Sequence, residues 1–210
     1  MKRRSTPIPR SLLATLLFSA LTGGICAQTN APGTTVPAPP EASAPAKEPD
    51  VVFVPTRPKV VDKMLEMADI RTNDILYDLG CGDGRIVVAA AKKYGIKAVG
   101  VDIDPQRVKE SLENVRTNHV AHLVTIKQAD IFDLDFHEAT VVTLYLLPEL
   151  NVRLMPKLAK LKPGSRIISD DFDMKGAKPK EVVHLNPSQD DESGEAQNTL
   201  YKWVVPWEPE

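Results

Sequence analysis

Three aspartates, Asp78, Asp102 and Asp130, each lie at or just beyond the end of a short apolar run of the sequence. A glycine-rich segment, Gly80–Gly84, follows the first of them. Carboxylates can accept hydrogen bonds from the hydroxyl, amino or ammonium groups of a ligand. Because open α/β sheets bind their ligands at the carboxyl ends of the strands, we expect the three carboxylates to face one ligand.

The spacing within Gly80-Cys81-Gly82-Asp83-Gly84 separates two kinds of nucleotide ligand. The dinucleotide fingerprint G-x-G-x-x-G requires a small residue at position 85, where this chain has Arg85. Asp78 and Asp83 would repel a pyrophosphate. A zwitterionic amino-acid tail would instead pair its ammonium with Asp78 and its carboxylate with the N-terminus of the next helix. The methionine part of S-adenosylmethionine is such a tail, so the pattern indicates this cofactor and disfavours an NAD-dependent oxidoreductase.

The remaining candidate contacts follow the second and third strands. Asp102 is expected to accept hydrogen bonds from the ribose hydroxyls, and Asp130 to meet the adenine amino group. A catalytic role for Cys81 is the alternative to a small residue between two glycines. His119 and His122 lack a third ligand, so we predict no metal site. The predicted cofactor-binding residues are Tyr77, Asp78, Gly80, Cys81, Gly82, Gly84, Asp102, Ile103, Asp130 and Ile131.

Alternating apolar patterns predict the elements that hold these residues. The predicted strands are Ile75–Leu79, Lys97–Val101, Leu123–Lys127, Thr140–Leu146, Ser165–Ser169, Glu181–Leu185 and Thr199–Val205. The predicted helices are Pro58–Ala68, Arg85–Tyr94, Pro105–Asn118 and Pro148–Leu161. The alternation predicts an α/β fold: a Rossmann-like, seven-stranded, mostly parallel sheet with helices on both faces and a C-terminal antiparallel hairpin.

The first 49 residues differ in composition from the rest of the chain. Residues 1–27 combine a basic start with a short apolar run, which predicts a signal peptide or a membrane anchor. Residues 28–49 are rich in proline and alanine and are expected to be a disordered linker before a domain at 50–210. This leader predicts export or tethering to a membrane. If the start codon is mis-assigned, we expect a cytoplasmic protein instead.

Charge argues against nucleic acid as the partner. Residues 1–27 hold four of the 26 basic residues and no acidic residue, so the remainder has 22 basic and 28 acidic residues, a net charge of -6. Phosphate binding requires a basic face instead. We expect a monomer whose contact with a membrane is confined to the N-terminal segment.

The segment Tyr77–Gly84, the acid at Asp102 and the pair Ala129-Asp130 resemble the motifs of the class I, seven-stranded methyltransferases. Phe53-Val54-Pro55-Thr56 and the ending Leu200-Tyr201-Lys202-Trp203 are similar to a narrower group, the protein-lysine methyltransferases of mitochondria and their bacterial relatives. Those enzymes act on the ADP/ATP translocase and on the c subunit of ATP synthase. The resemblance therefore implies transfer of a methyl group to a lysine of a protein substrate, which can be membrane-associated.

This chain departs from the mitochondrial group in three respects. Asp102 stands where those enzymes usually have Glu, the final hairpin loop is longer, and the leader resembles an export signal. These departures bear on the substrate more than on the chemistry.

The motif Asn-Pro-Pro-Tyr, typical of enzymes that methylate amide or base nitrogens, is absent after the fourth strand. Its absence disfavours those enzymes.

A lysine amine must lose a proton before it attacks, because its ordinary pKa is near 10.4. The candidate proton acceptors are Glu149, after the fourth strand, and three acids after the fifth strand, Asp170, Asp171 and Asp173. Glu149 and Asp171 rank first among them, and Tyr145 is a candidate for orienting the amine. Core packing of Tyr145 and stabilisation of a helix start by Glu149 are the structural alternatives. Two other functions stay open: a small-molecule or lipid N-methyltransferase, and a cofactor-binding protein without catalysis.

Overall fold

Seven strands form one sheet in the computed structural model, which describes residues 53–186 and 197–210. Their order across the sheet is β3-β2-β1-β4-β5-β7-β6. Strands β1 to β5 are parallel to their neighbours, whereas β7 is antiparallel to both β5 and β6. The strands are β1 (Ile75–Leu79), β2 (Lys97–Asp102), β3 (Val124–Gln128), β4 (Val141–Leu144), β5 (Arg166–Asp170), β6 (Glu181–Leu185) and β7 (Asn198–Val204). The predicted mostly parallel sheet with a C-terminal antiparallel hairpin is confirmed.

Four α-helices occur within these described ranges: α1 (Pro58–Met67), α2 (Arg85–Tyr94), α3 (Pro105–Thr117) and α4 (Pro148–Leu158). Helices α1, α3 and α4 each begin with a proline, whose fixed φ suits the first turn. Asp104 caps α3 by accepting a hydrogen bond from the backbone N–H of Gln106 at 2.7 Å.

The two faces of the sheet are covered differently. On one face, helices α1, α2 and α3 contribute buried side chains to an apolar core. The sheet contributes Leu76 and Ile168 to the same core. On the other face α4 shares the core with irregular segments that supply Phe136 and Met174. Helices on both faces are therefore confirmed, although loops cover part of the second face.

Among the strands, the fourth differs most from its predicted bounds. It ends at Leu144 instead of Leu146, because the chain turns away from the sheet there and Tyr145, Leu146 and Leu147 line a cavity. Apolar side chains in this stretch gave the pattern of a longer strand, since the cavity wall is as apolar as a buried strand. This departure brings Tyr145 to the ligand-binding edge of the sheet.

The predicted signal segment 1–27 and linker 28–49 lie outside the described residues. Within the ranges 53–186 and 197–210, no helix has both the length and the apolar character that crossing a membrane requires.

Candidate active site

A cavity of about 530 Å³ opens at the carboxyl ends of the central strands. Its wall combines carboxylates with apolar and aromatic side chains, a composition typical of a site for a small organic ligand. Seven of the ten residues predicted to contact the cofactor line it: Asp78, Gly80, Cys81, Asp102, Ile103, Asp130 and Ile131.

Asp78 lies on β1 at the base of this cavity and is only 3% exposed. Its Oδ1 accepts a hydrogen bond from the hydroxyl of Thr143 on β4 at 2.7 Å. Its Oδ2 has no hydrogen-bond partner among the described residues. Burial, together with the neighbouring charges of Asp102 and Asp83, raises the pKa of Asp78 to about 7, against the Thr143 hydrogen bond, which lowers it. A buried carboxylate oxygen in this state is a binding site for a cation that the cavity admits.

Hydrogen bonds fix the glycine-rich loop to its surroundings. The backbone N–H groups of Gly80 and Cys81 both donate to the carbonyl oxygen of Val101, at 2.8 and 2.9 Å. The N–H of Gly82 donates to Oδ2 of Asp102 at 2.8 Å, and the hydroxyl of Ser111 donates to the carbonyl of Gly82 at 2.7 Å. The loop is thus anchored to β2 and α3 before any ligand binds.

The two other predicted carboxylates are held by the backbone. Oδ1 of Asp102 accepts from the N–H of Asp104 at 2.9 Å, and Oδ1 of Asp130 accepts from the N–H of Phe132 at 2.9 Å. Burial raises the pKa of Asp102 even though the N–H groups of Asp104 and Gly82 favour its ionised form. Each carboxylate oxygen has two lone pairs, so Asp102 can accept hydrogen bonds from a ligand as well as from the backbone.

Residues 53–57, which we call the strap, cross over the glycine-rich loop. An ideal Cβ built on Gly82 would lie 2.1 Å from Cε2 of Phe53, so the ring packs directly on this glycine. The guanidinium of Arg107 lies over the Phe53 ring, with its Cζ 4.8 Å from the centre of the ring. Nη1 of Arg85 donates to the carbonyl oxygen of Thr56 at 2.7 Å. The strap therefore forms one wall of the cavity.

Sequence reasoning did not identify the strap contacts of Arg85 and Arg107. Arg85 was informative only as the residue that breaks the dinucleotide fingerprint. In the structure it pairs with Asp83 at 2.6 Å and holds the strap at the same time. No spacing rule predicts such contacts, because 29 residues separate Arg85 from its partner Thr56.

Three predicted cofactor residues do not line the cavity with their own atoms. The ring of Tyr77 is buried in the core beside Phe136, and its hydroxyl donates to Oε1 of Glu138 at 2.7 Å. Alternation along β1 sends the Tyr77 side chain to the sheet face opposite α2, and the cofactor contact of Tyr77 stays a prediction. Gly82 and Gly84 act through the backbone: Gly82 binds Asp102, and Gly84 precedes α2 with a φ of 75°.

The residues after β4 and β5 meet at the other end of the cavity. The hydroxyl of Tyr145 donates to Oδ2 of Asp171 at 3.4 Å, and the Tyr145 ring stacks on Phe172 with centres 6.2 Å apart. Tyr145 and Phe172 both line the cavity. Glu149 is exposed in the first turn of α4 and is not among the lining residues. Of the three catalytic candidates, the structure brings together Tyr145 and Asp171.

Asp170 is a further acidic group at this end, with 1% exposure. Its Oδ1 accepts from Nδ2 of Asn198 at 2.9 Å, and its Oδ2 has no partner among the described residues. Burial and the charge of Asp171 raise the pKa of Asp170 to about 7. Burial and both carboxylates also raise the pKa of Tyr145, to about 12, so its hydroxyl stays protonated. Asp170 appeared in the sequence only as one of several acids after the fifth strand.

The described part of the chain contains no group of three His, Cys, Asp or Glu side chains arranged to hold a metal ion. The thiol of Cys81 is buried with its Sγ 3.6 Å from Oγ of Ser111. Burial and the charge of Asp78 raise the pKa of this thiol well above its usual range, so it stays neutral.

Comparison with known proteins decides the family. Residues 78–181 match the family model described as the ANTKMT methyltransferase domain. A protein-lysine N-methyltransferase of Saccharolobus islandicus is 46% identical over 159 residues, which are 75% of this chain and 95% of that protein. The chain belongs to this methyltransferase family. Its cofactor is S-adenosylmethionine, and it is an enzyme.

Two further relatives bear on the methyltransferase. A human lysine N-methyltransferase, named for the c subunit of ATP synthase, is 32% identical over 121 residues, which are 57% of this chain and 51% of the human protein. A crystal structure described as an RNA methyltransferase from Salinibacter ruber, in complex with S-adenosyl-L-homocysteine, is 47% identical. The match covers 73% of this chain and 94% of the chain in that crystal structure, with a TM-score of 0.66. The names of the relatives thus point to two different classes of acceptor.

Proposed function

We propose that this methyltransferase transfers the methyl group of S-adenosylmethionine to the side-chain nitrogen of a lysine in a protein substrate. The observation that carries the proposal is the order of functional groups along the ligand-binding edge of the sheet. From β3 to β5 this edge presents Asp130, Asp102, Asp78, Tyr145 and Asp171. Neighbouring strands are about 4.8 Å apart, so these groups span the length of an extended nucleoside with a reactive end.

The first three of these groups suit the three parts of the cofactor. Oδ2 of Asp78, which has no partner among the described residues, would bind the ammonium of the methionine tail. Asp102 would accept from the ribose hydroxyls, beside Ile103. Asp130 would receive the adenine amino group, and Ile131 would pack on the ring. When bound, S-adenosylmethionine supplies a methyl group on a positively charged sulfur that leaves as a neutral thioether.

The other two groups suit an amine acceptor. The Tyr145 hydroxyl donates its proton toward Asp171, so its oxygen lone pairs can accept a hydrogen bond from a lysine ammonium in the cavity. Passing the ammonium proton to the Tyr145 oxygen, and the Tyr145 proton to Asp171, leaves a neutral amine and a neutral carboxyl group. The stacked rings of Tyr145 and Phe172 also offer π-faces to a cation. The names of the lysine methyltransferase relatives agree with this acceptor.

RNA is the rival acceptor, because one relative of 47% identity is described as an RNA methyltransferase. The acidic balance of residues 28–210 and the carboxylates around Tyr145 oppose the binding of a phosphate backbone. The test is to incubate the protein with S-adenosylmethionine carrying a labelled methyl group and a cell extract divided into protein, RNA and small-molecule fractions. Label in the protein fraction is expected. Label confined to RNA or to small molecules would overturn the proposal.

We also propose that the enzyme acts outside the cytoplasm or on a membrane, as the composition of residues 1–27 suggests. The mature N-terminus, determined by mass spectrometry of the protein from its native cells, tests this. Cleavage near Ala27, or an uncleaved chain in the membrane fraction, would agree with the proposal. Intact Met1 in the soluble cytoplasmic fraction would contradict it.

A further inference from the structure

Two neighbouring carboxylates after β5 are bridged by a single amide. Nδ2 of Asn198 donates one hydrogen bond to Oδ1 of Asp170 at 2.9 Å and one to Oδ2 of Asp171 at 3.0 Å. Both protons of the amide are thus engaged by acids. Asn198 is 9% exposed, so water does not replace it easily. The buried Asp170 and the half-buried Asp171 repel each other when both are ionised, and the shared amide offsets part of that repulsion.

The orientation of this amide is set from a distant part of the chain. A terminal guanidinium nitrogen of Arg57, Nη2, donates to Oδ1 of Asn198. Because a guanidinium group only donates hydrogen bonds, the amide directs its oxygen to Arg57 and its nitrogen to the acids. Arg57 belongs to the strap, so the segment over the cofactor loop is tied to the segment beside Tyr145.

The Asp171 carboxylate is fixed by its backbone as well. Its φ is 61°, a left-handed conformation that few residues other than glycine, asparagine and aspartate adopt readily. The N–H of Asp171 donates to the carbonyl of Thr199 at 2.8 Å, and Oδ1 of Asp171 accepts from the N–H of Thr199 at 3.0 Å. Oδ2 is then left facing Asn198 and the hydroxyl of Tyr145.

We propose that Asn198 and Arg57 are positioning residues for methyl transfer, which hold the Asp171 carboxylate in hydrogen-bonding contact with Tyr145. This inference rests on the proposed function, in which Tyr145 and Asp171 receive the proton of the acceptor amine. It adds two residues that are not among those lining the cavity. It also makes the strap a part of the acceptor site, because Arg57 connects the two.

The charged and titratable groups that face this arrangement come from four segments. Arg57 precedes α1, Tyr145 follows β4, Asp173 follows β5, and Tyr201 lies on β7 next to Asp171. The Asn198 hydrogen bond and the charge of Arg57 both lower the pKa of Asp170, against burial and the charge of Asp171. Removing either residue should therefore raise the pKa of Asp170 above its value in the unaltered protein.

The test compares Asn198→Ala with the unaltered protein and with Lys202→Gln, a control on the same strand that removes only the partner of Glu181. For Asn198→Ala, kcat on a lysine-containing acceptor should fall by about tenfold or more, since a proton acceptor is displaced. The Kd for S-adenosylhomocysteine should change less than about twofold, because no cofactor contact is removed. ¹³C-NMR titration of the aspartate carboxyl carbons should show the Asp170 pKa raised. Lys202→Gln should leave kcat, the Kd for S-adenosylhomocysteine and the Asp170 pKa unchanged.

Arg57→Gln provides a second variant if Asn198→Ala does not fold. It keeps both acids and the Asn198 amide, so a smaller fall in kcat with the same upward movement of the Asp170 pKa is expected. Unchanged kcat in both variants, or a loss confined to cofactor affinity, would overturn the inference. If the unaltered protein methylates no lysine, the proposed function fails instead, and the two failures are thereby distinguished.

Discussion

Thr143 donates a hydrogen bond to one oxygen of Asp78 at 2.7 Å, while the other oxygen of Asp78 is buried without a partner among the described residues. Two adjacent parallel strands, β1 and β4, place the two side chains at the same level of the sheet. The hydrogen bond fixes the plane of the carboxylate, so the second oxygen has a defined direction. The arrangement is prepared for a cation before the cofactor arrives.

Asp78→Asn tests that preparation directly. The amide has nearly the shape of the carboxylate but lacks its charge, so affinity for S-adenosylhomocysteine should fall by about 1.5–3 kcal/mol, or roughly 10- to 100-fold in Kd. Isothermal titration calorimetry measures the change. Asp133→Asn, an exposed aspartate outside the cavity lining, is the matched control. Equal affinities for both variants would remove Asp78 from the binding site.

The pH dependence of stability should reflect the two buried acids. Asp78 and Asp170 each have a pKa raised to about 7 in the folded protein, far above the ordinary carboxyl value of the unfolded chain. Between these values the folded state binds more protons, so stability falls as the pH rises from about 4 to 7. The ligand-free protein should therefore have a higher Tm near pH 5 than near pH 8. A higher Tm near pH 8 would contradict the raised values.

Cofactor binding should show the opposite pH dependence. The ammonium of the ligand favours ionised Asp78, so binding at a pH below about 7 must release the proton that Asp78 carries. Affinity for S-adenosylhomocysteine should thus weaken as the pH falls from about 8 to 6. The slope should be reduced in Asp78→Asn, where no proton is released from this position. If the pH dependence of the affinity were the same in Asp78→Asn, the proton would be released from a group other than Asp78.

Gly82→Ala should disturb the strap. The added Cβ would lie 2.1 Å from the Phe53 ring, at a φ of 54° that already disfavours alanine. Gly95→Ala is the control, because its φ is 66° and nothing lies within 4 Å of its added Cβ. Both should lower the Tm through backbone strain, but only Gly82→Ala should also weaken cofactor binding. Combining it with Phe53→Ala should restore part of the stability loss, as contacting residues are coupled.

Tyr145→Phe should separate catalysis from cofactor binding. The variant keeps the ring that stacks on Phe172 and removes the hydroxyl that contacts Asp171. We expect kcat to fall by about 10²-fold with the Kd for S-adenosylhomocysteine unchanged. Asp171→Asn should behave similarly, since asparagine tolerates the left-handed backbone at this position. Tyr94→Phe, far from the cavity lining, controls for removal of a tyrosine hydroxyl. Full activity of Tyr145→Phe would exclude the proposed proton path.

Most of the sheet and the cofactor end of the site followed from local signals. β1, α2 and β6 have the bounds that apolar periodicity and flanking glycines predicted. Asp78, Asp102 and Asp130 meet in one cavity because parallel strands end at a common edge. These features depend on residues close in sequence or on one rule of topology.

The acceptor end depends on contacts that no local pattern encodes. Asn198 reaches Asp170 across 28 residues and Arg57 across 141 residues. The burial of the Tyr77 ring beside Phe136 also does not follow from its position beside the motif, because the face to which the side chain points depends on the register of β1 in the sheet. The contacts of Asn198 and the direction of the Tyr77 side chain therefore depend on long-range strand register and loop packing, which local sequence patterns do not predict.

The chemical identity of the methylated residue tests the central claim, lysine methylation, most directly. After incubation with labelled S-adenosylmethionine and a protein extract, the labelled protein is hydrolysed completely and its amino acids are separated. The label should elute with methylated lysine, and it should be strongly reduced when Tyr145→Phe replaces the unaltered enzyme. Label that elutes with another amino acid, or that is found only in nucleosides, would contradict the assignment of lysine as the acceptor.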